Sequence, residues 1–247
     1  LAPTEAARRY HARCEQALHL LALAEDDAAA GRDAPAGEVR LSVPTTYGHH
    51  RLLPGLAALR DRYPAIRLAL HVDNHNADFV ADGVDLAIRL GAIADHGLVA
   101  RRLGDFPLGV FAAPAYLARF GAPRTPAELA AHHCIAFVRP STGRALAWTF
   151  APAPQRWDPD AAYRCAGDPL ATIALARAGL GLVQTYDFLV ERELAHGELV
   201  EVLAAYRGAS RPFSLVYPRA ARQGRAVRAV IEHVLASARA TPARRSG

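Results

Sequence analysis

Residues 78–121 read DFVADGVDLAIRLGAIADHGLVARRLGDFPLGVFAAPAYLARFG, and this stretch decides the fold. Val84-Asp85-Leu86-Ala87-Ile88 is a brief apolar run closed by Arg89-Leu90-Gly91. A run of that length suits a strand covered on both faces, as strands of parallel sheets are. Leu108 to Ala113 is a second such run. It ends at Pro114, where a helix can begin because proline is tolerated in a first helical turn.

Upstream, Val39-Arg40-Leu41-Ser42-Val43 alternates as a strand does, and Ile66 to Val72 is another. Between them Pro44-Thr45-Thr46 opens a helix expected to reach about Tyr63, stopped by Pro64. With a short helix at 77–82 and a strand at 84–90, the order is βαβαβ, which implies a parallel sheet with right-handed crossovers. Downstream of Pro114 a turn at Pro123–Pro126 and a helix at 127–131 precede strands near 134–138, 146–150 and 163–166. A helix at 169–178, a buried strand at 180–184 and a helix at 186–195 follow. The chain then returns through a strand at 213–217 and a helix at 225–238, whose Val227, Ile231, Val234, Leu235 and Ala238 form an apolar face. A returning strand and helix rejoin the first block. The expected architecture is α/β: two Rossmann-like lobes joined by two crossovers, with residues 38–107 plus 208–247 as lobe I and 108–207 as lobe II.

Residues 1–37 are set apart as a helix and hinge. Thr4 can cap a helix running to about Ala30, before Gly31. Ala7, Tyr10, Cys14, Ala17, Leu21, Ala24 and Ala28 recur at spacings of three and four, as in a coiled-coil seam. The stripe fits pairing with a second copy or docking on the chain's own domain.

The 247 residues are 51% hydrophobic and 21% charged, which places the chain among ordinary globular proteins rather than disordered ones. No apolar run approaches the ~20 residues of a membrane span. The net charge is +5, and nine arginines stand against Glu232 alone from Arg207 onward. That end reads as a solvated helix face and a frayed tail, or as a contact for nucleic acid. Cys14, Cys134 and Cys165 are odd in number and far apart, which suits a reducing compartment and a cytoplasmic protein.

Three wordings carry a family resemblance: Asp85-Leu-Ala-Ile-Arg-Leu-Gly91, Leu98-Val-Ala-Arg-Arg-Leu-Gly104, and Ala112-Ala-Pro-Ala-Tyr-Leu-Ala-Arg-Phe-Gly121. They resemble the effector-binding domain of LysR-type transcriptional regulators, from about Leu1 to about residue 238. The resemblance implies a type 2 periplasmic-binding-protein-like fold behind a linker helix that dimerises. It implies a homodimer or homotetramer, a small-molecule effector (a small organic acid or an aromatic), and DNA contact through a winged helix-turn-helix upstream of Leu1. The alternative is a free solute-binding protein of a transport system, which has no need of the heptad helix.

In open α/β sheets ligands sit beyond the carboxyl ends of strands. The first such end is Val43-Pro44-Thr45-Thr46-Tyr47, where hydroxyls and backbone N–H groups suit an anion; either threonine can equally serve as a helix cap. By resemblance, Thr45 and Thr46 match the Ser/Thr that touches effector in the family. The second end is Arg89-Leu90-Gly91, where Arg89 can hold an anion or pair with Asp85 or Asp95. The third gathers Asp168, expected to cap the helix at Pro169, with Gln184 and Tyr186, which follow a buried strand. Phe111 is added to the effector set. The family often carries Leu-Pro where this chain has Gln184-Thr185, so the polarity there is altered.

His71-x-Asp73-x-His75 has metal-ligand types on one strand face, but a solvated strand end explains it as well. His49-His50 and His132-His133-Cys134 read as surface and packing residues. Gly179-Leu180-Gly181 lacks a third glycine and follows a helix, the wrong context for a dinucleotide. There is no Gly-x-Ser-x-Gly, Gly-Lys phosphate loop or His-Glu-x-x-His, so nothing points to an enzyme, a metal or a cofactor.

Overall fold

The computed structural model describes residues 34–240, apart from 75–77, 80–81, 92, 94, 96, 141, 153–154 and 220–223, together with 4, 6–7, 10–11, 13–14, 17–18 and 21. Those first residues from 6 onward are helical, and the Thr4 hydroxyl accepts the Ala7 N–H at 3.2 Å, as an N-cap does. The rest of the expected opening helix and residues 31–33 of its hinge lie outside the described residues. The chain forms two compact units, one of Leu1–Gly104 with Pro212–Pro242, the other of Asp105–Arg211. These boundaries fall three to four residues from those expected at 107/108 and 207/208.

In the first unit, β1 (Gly37–Val43) lies parallel to β2 (Ile66–Val72) and to β3 (Leu86–Leu90). The returning strand β11 (Gly208–Pro218) pairs antiparallel with β3, Phe213 opposite Leu90 and Val216 opposite Ala87. The order β2-β1-β3-β11 shows the tail rebuilding the sheet that begins at Gly37. Val39, Leu41, Val43, Leu86, Phe213 and Leu215 are fully buried along these strands. Helix α6 (Arg225–Ala240) packs on β1 and buries Val227, Val230, Ile231 and Val234.

The segment after β1 departs from the single helix expected. It is α1 (Thr45–Tyr47), a π turn at Gly48–Leu52, a 3-10 turn at Leu53–Gly55, and α2 (Leu56–Arg62). Pro54 is the physical reason: it has no N–H to give to a carbonyl one turn back. The wider and tighter turns absorb the defect, and His233 of α6 meets the Gly55 carbonyl at 3.0 Å. Gly48 sits hard on the sheet, since a Cβ there would lie 3.3 Å from Val72 Cγ1. The short helix expected at 77–82 lies partly outside the described residues; Asp82 N–H closes a turn on the Asp78 carbonyl at 2.9 Å.

The second unit has the strand order β4-β9-β5-β8. Strand β4 (Leu98–Ala112) begins ten residues before the run expected at Leu108 and passes from one unit into the other, as β11 does. It pairs antiparallel with β9 (Leu182–Tyr186) and with the short β10 (Val200–Val202). Strand β5 (Cys134–Val138) is parallel to β9 and to β8 (Ala161–Ala166). A separate hairpin joins β6 (Trp148–Phe150) and β7 (Gln155–Trp157). Helices α3 (Pro114–Phe120), α4 (Leu170–Arg177) and α5 (Glu191–Ala195) and a 3-10 turn at Pro126–Ala131 complete the unit. Its core gathers Val110, Tyr116, Leu129, Trp148, Phe150 and Leu182.

Candidate functional site

The carboxyl ends of β1 and β2 are joined by a contact across 29 residues. The Thr45 N–H and hydroxyl both donate to Asn74 Oδ1, at 3.3 and 3.0 Å. The Asp73 N–H meets the Val43 carbonyl at 3.2 Å just beside them. Neither Thr45 nor Thr46 caps a helix: Pro44 holds the N-cap position, without any side-chain cap bond. Thr46 is buried, and its carbonyl meets His50 Nδ1 at 3.2 Å. Asn74 was not among the residues singled out in the sequence. The only local signal for it is an Asn two residues past a strand end, where such side chains favour turns.

Tyr47 is packing. Its ring is buried 5.2 Å from the Phe213 ring, and burial pushes its hydroxyl up to about 12, against the pull of the Arg51 charge. Arg89 stands with its guanidinium carbon 5.1 Å over the ring of Phe79, a cation–π contact in the first unit. The carboxylate of Asp85 accepts the Arg40 N–H at 2.8 Å, so it ties β1 to the start of β3. Leu90 is 37% exposed, and Gly91, at φ 92°, donates its N–H to the Pro212 carbonyl at 2.9 Å. That positive φ is why glycine ends the strand here.

In the second unit Phe111 is fully buried, so it lines the core rather than a surface. It lies over Gly109, where a Cβ would come 2.5 Å from its Cζ. Asp168 accepts the Leu170 N–H at 2.9 Å at the start of α4, a turn-capping contact. Gln184 does not project freely from β9. Its Oε1 accepts the Thr149 N–H at 2.9 Å and its Nε2 donates to the Thr149 carbonyl at 2.8 Å, so the amide pins β6 as a neighbouring strand would. Tyr186 is buried and stacks on Phe188 at 5.7 Å, with Phe106 on that ring's other contact at 4.6 Å. Burial pushes its hydroxyl up to about 12, and Arg211 opposes the rise by charge and hydrogen bond. The unit also holds a bidentate pair that the sequence did not reveal: Arg207 Nε and Nη2 reach the two oxygens of Glu201 at 2.7 and 2.6 Å.

Thus Thr45, Thr46 and Asn74 gather at one end of the first sheet, with Arg89, Leu90 and Gly91 at the end of β3. Tyr47 and Phe111 are core residues, and Asp168 and Gln184 already have backbone partners. Of the metal-type triplet, His75 lies outside the described residues, and among the described residues no group of three or more metal-ligating side chains is gathered. Burial pushes the Cys134 thiol up to about 12, which keeps it an inert core thiol at neutral pH.

Residues 32–239 match the LysR substrate binding domain. The chain belongs to the LysR family. It is similar to the HTH-type transcriptional regulator CrgA of Neisseria meningitidis serogroup B, 34% identical over 221 residues, covering 88% of this chain and 72% of that protein. It is 31% identical over 235 residues to an HTH-type transcriptional regulator of Xanthomonas campestris pv. campestris, covering 94% of this chain and 68% of that one. The solved structure of CrgA superimposes with a TM-score of 0.75 at 29% identity, covering 96% of this chain and 80% of that one. Residues 32–239 are therefore the effector-binding part of a LysR-type transcriptional regulator, with the type 2 periplasmic-binding-protein-like fold. A free solute-binding protein of a transport system is not favoured, because the matched relatives are transcriptional regulators.

Proposed function

We propose that this LysR-family chain senses a small organic acid or a small aromatic at the carboxyl ends of its strands. The Thr45–Asn74 pair carries the reading. A hydroxyl and a backbone N–H converge on one amide oxygen at 3.0 and 3.3 Å, beyond two parallel strands. A carboxylate is a stronger acceptor than an amide oxygen and competes for the same donors. Thr46, Arg89, Leu90 and Gly91, at the carboxyl ends of the strands of the same sheet, belong to the same proposal. The ligand acts by binding one conformation better than another, which shifts the population.

The regulator works in the cytoplasm as a homodimer or homotetramer and is not an enzyme. DNA is reached through a winged helix-turn-helix outside these residues, in keeping with the "HTH-type" relatives, of which the chain spans about 70%. Tyr10, Leu18 and Leu21 of the opening helix are 61–72% exposed, which supports pairing with a second copy. Among the described residues no helix is long and apolar enough to cross a membrane.

Thermal-shift screening against small acids and aromatics, followed by calorimetric titration of the best binder, tests the reading. Thr45→Val removes the hydroxyl donor and is expected to weaken binding about tenfold, the value of one charge-assisted hydrogen bond. Unchanged affinity for every binder found counts against the site.

A further inference from the structure

A cavity of about 350 Å³ opens in the second unit at the amino ends of β5 and β8. Its walls include Leu129, His132, His133, Trp157 and Asp160. His132 and His133 immediately precede β5 and Asp160 immediately precedes β8, so the cavity lies at the end of this sheet opposite the strand carboxyl ends. It is distinct from the effector site proposed above. Its volume is in the range of small-molecule pockets, about 300–1,000 Å³.

The polar groups have fixed roles. The Tyr116 hydroxyl accepts the His133 N–H at 2.9 Å and meets His132 Nδ1 at 3.2 Å. Burial lowers the pKa of His132, with the Glu128 charge opposing, which favours the neutral ring. His133 packs edge-on against Phe120 at 5.3 Å. Trp157 is held by a T-shaped contact with buried Trp148 at 5.4 Å, so one aromatic wall is rigid. Among the described residues Asp160 is the one carboxylate in the wall, with no arginine beside it there, and no hydrogen bond or ion pair engages it. A carboxylate with no counter-charge, an indole and an imidazole in one wall suit a cation with an apolar body and a polar group.

We infer that this cavity is a second ligand site, which takes a small aromatic amine with its ammonium on Asp160, its ring against Trp157 and a polar group toward His132. A carboxylate–ammonium contact beside an aromatic face corresponds to about tenfold in affinity. The site discriminates by charge against the acids proposed for the first one.

Tyramine is the probe and 4-hydroxyphenylacetate its anionic counterpart, each titrated by calorimetry into the whole chain, with amide shifts followed by heteronuclear NMR. Tyramine is expected to saturate, to shift the amides of 129–133 and 160–162, and to lose about tenfold in affinity in Asp160→Asn. Asp160 is exposed, so this variant folds; Trp157→Phe, which keeps a ring, is expected to retain most of the affinity. Failure of tyramine to saturate below about 10 mM, equal binding of the acid, an unchanged Asp160→Asn, or shifts confined to other residues overturns the inference. None of these outcomes bears on Thr45.

Discussion

Gln184→Leu isolates a side chain that acts as backbone. In the native chain the Gln184 amide closes two hydrogen bonds on Thr149, at 2.9 and 2.8 Å, and so attaches β6 to β9 across 35 residues. Leucine is of similar volume and leaves the Thr149 N–H and carbonyl without these partners. Each buried backbone group so orphaned costs about 1–3 kcal/mol. Gln184 and Thr149 are both half-buried, so water reaches part of the gap and the total falls at about 2–3 kcal/mol. For a chain of this size that lowers Tm by about 4–12 °C. Thermal unfolding by circular dichroism reads the shift, and amide exchange should quicken across the β6–β7 hairpin before the rest of the unit. Gln184→Glu is expected to fare no better at neutral pH, because its second oxygen faces the Thr149 carbonyl. A Tm for Gln184→Leu within about 2 °C of the native value refutes the assignment of Gln184 as a clamp.

Further outcomes can be checked in the same assays. Gly109→Ala drives a Cβ into the Phe111 ring, 2.5 Å from its Cζ, and is expected to cost about 1–3 kcal/mol. The smaller side chain of Phe111→Leu should recover part of that loss in the double variant. Glu201→Gln breaks the bidentate pair with Arg207, whose side chains are only 17% and 23% exposed. It should lower stability by about 2–3 kcal/mol in denaturant titration, less than the roughly 3–5 kcal/mol of a fully buried pair. His132 has its pKa lowered from the ordinary 6.5, first by burial, so the unfolded chain binds the proton more readily. Its contribution to stability is complete above about pH 6.5 and is lost as pH falls through that value toward the lower folded one. Unfolding free energy measured between about pH 7.5 and 5 should slope less in His132→Gln.

Parts of this fold are legible in the sequence because single interactions decide them locally. Strands β2 and β5 are bounded as expected because apolar runs end at turn residues. The return of β11 to β3 follows from the order of elements and the known preference for short crossovers. Other parts are decided elsewhere. Arg101-Arg102, Gly104 and Pro107 hide the first half of β4, where Ala100, Arg101 and Arg102 are exposed in a row and no alternation marks a strand. Strands β7 and β10 have three residues each, too few for a period. Pro54 was visible, but the π and 3-10 turns that accommodate it depend on packing against the sheet and α6. The position of Thr45 and Thr46 just past the end of β1 was legible because strand ends in α/β folds are predictable. The partner of Thr45 is 29 residues away and that of Gln184 is 35, and neither pairing leaves a local pattern.

Amide hydrogen exchange over the whole chain, with and without the best acid or aromatic from the ligand screen, tests the central claim most directly. Slowed exchange at 45–52 and 73–74, lost in Thr45→Val, is the predicted result. Protection that leaves those amides unchanged, or that survives Thr45→Val undiminished, contradicts the claim that this chain senses its effector at the ends of β1 and β2.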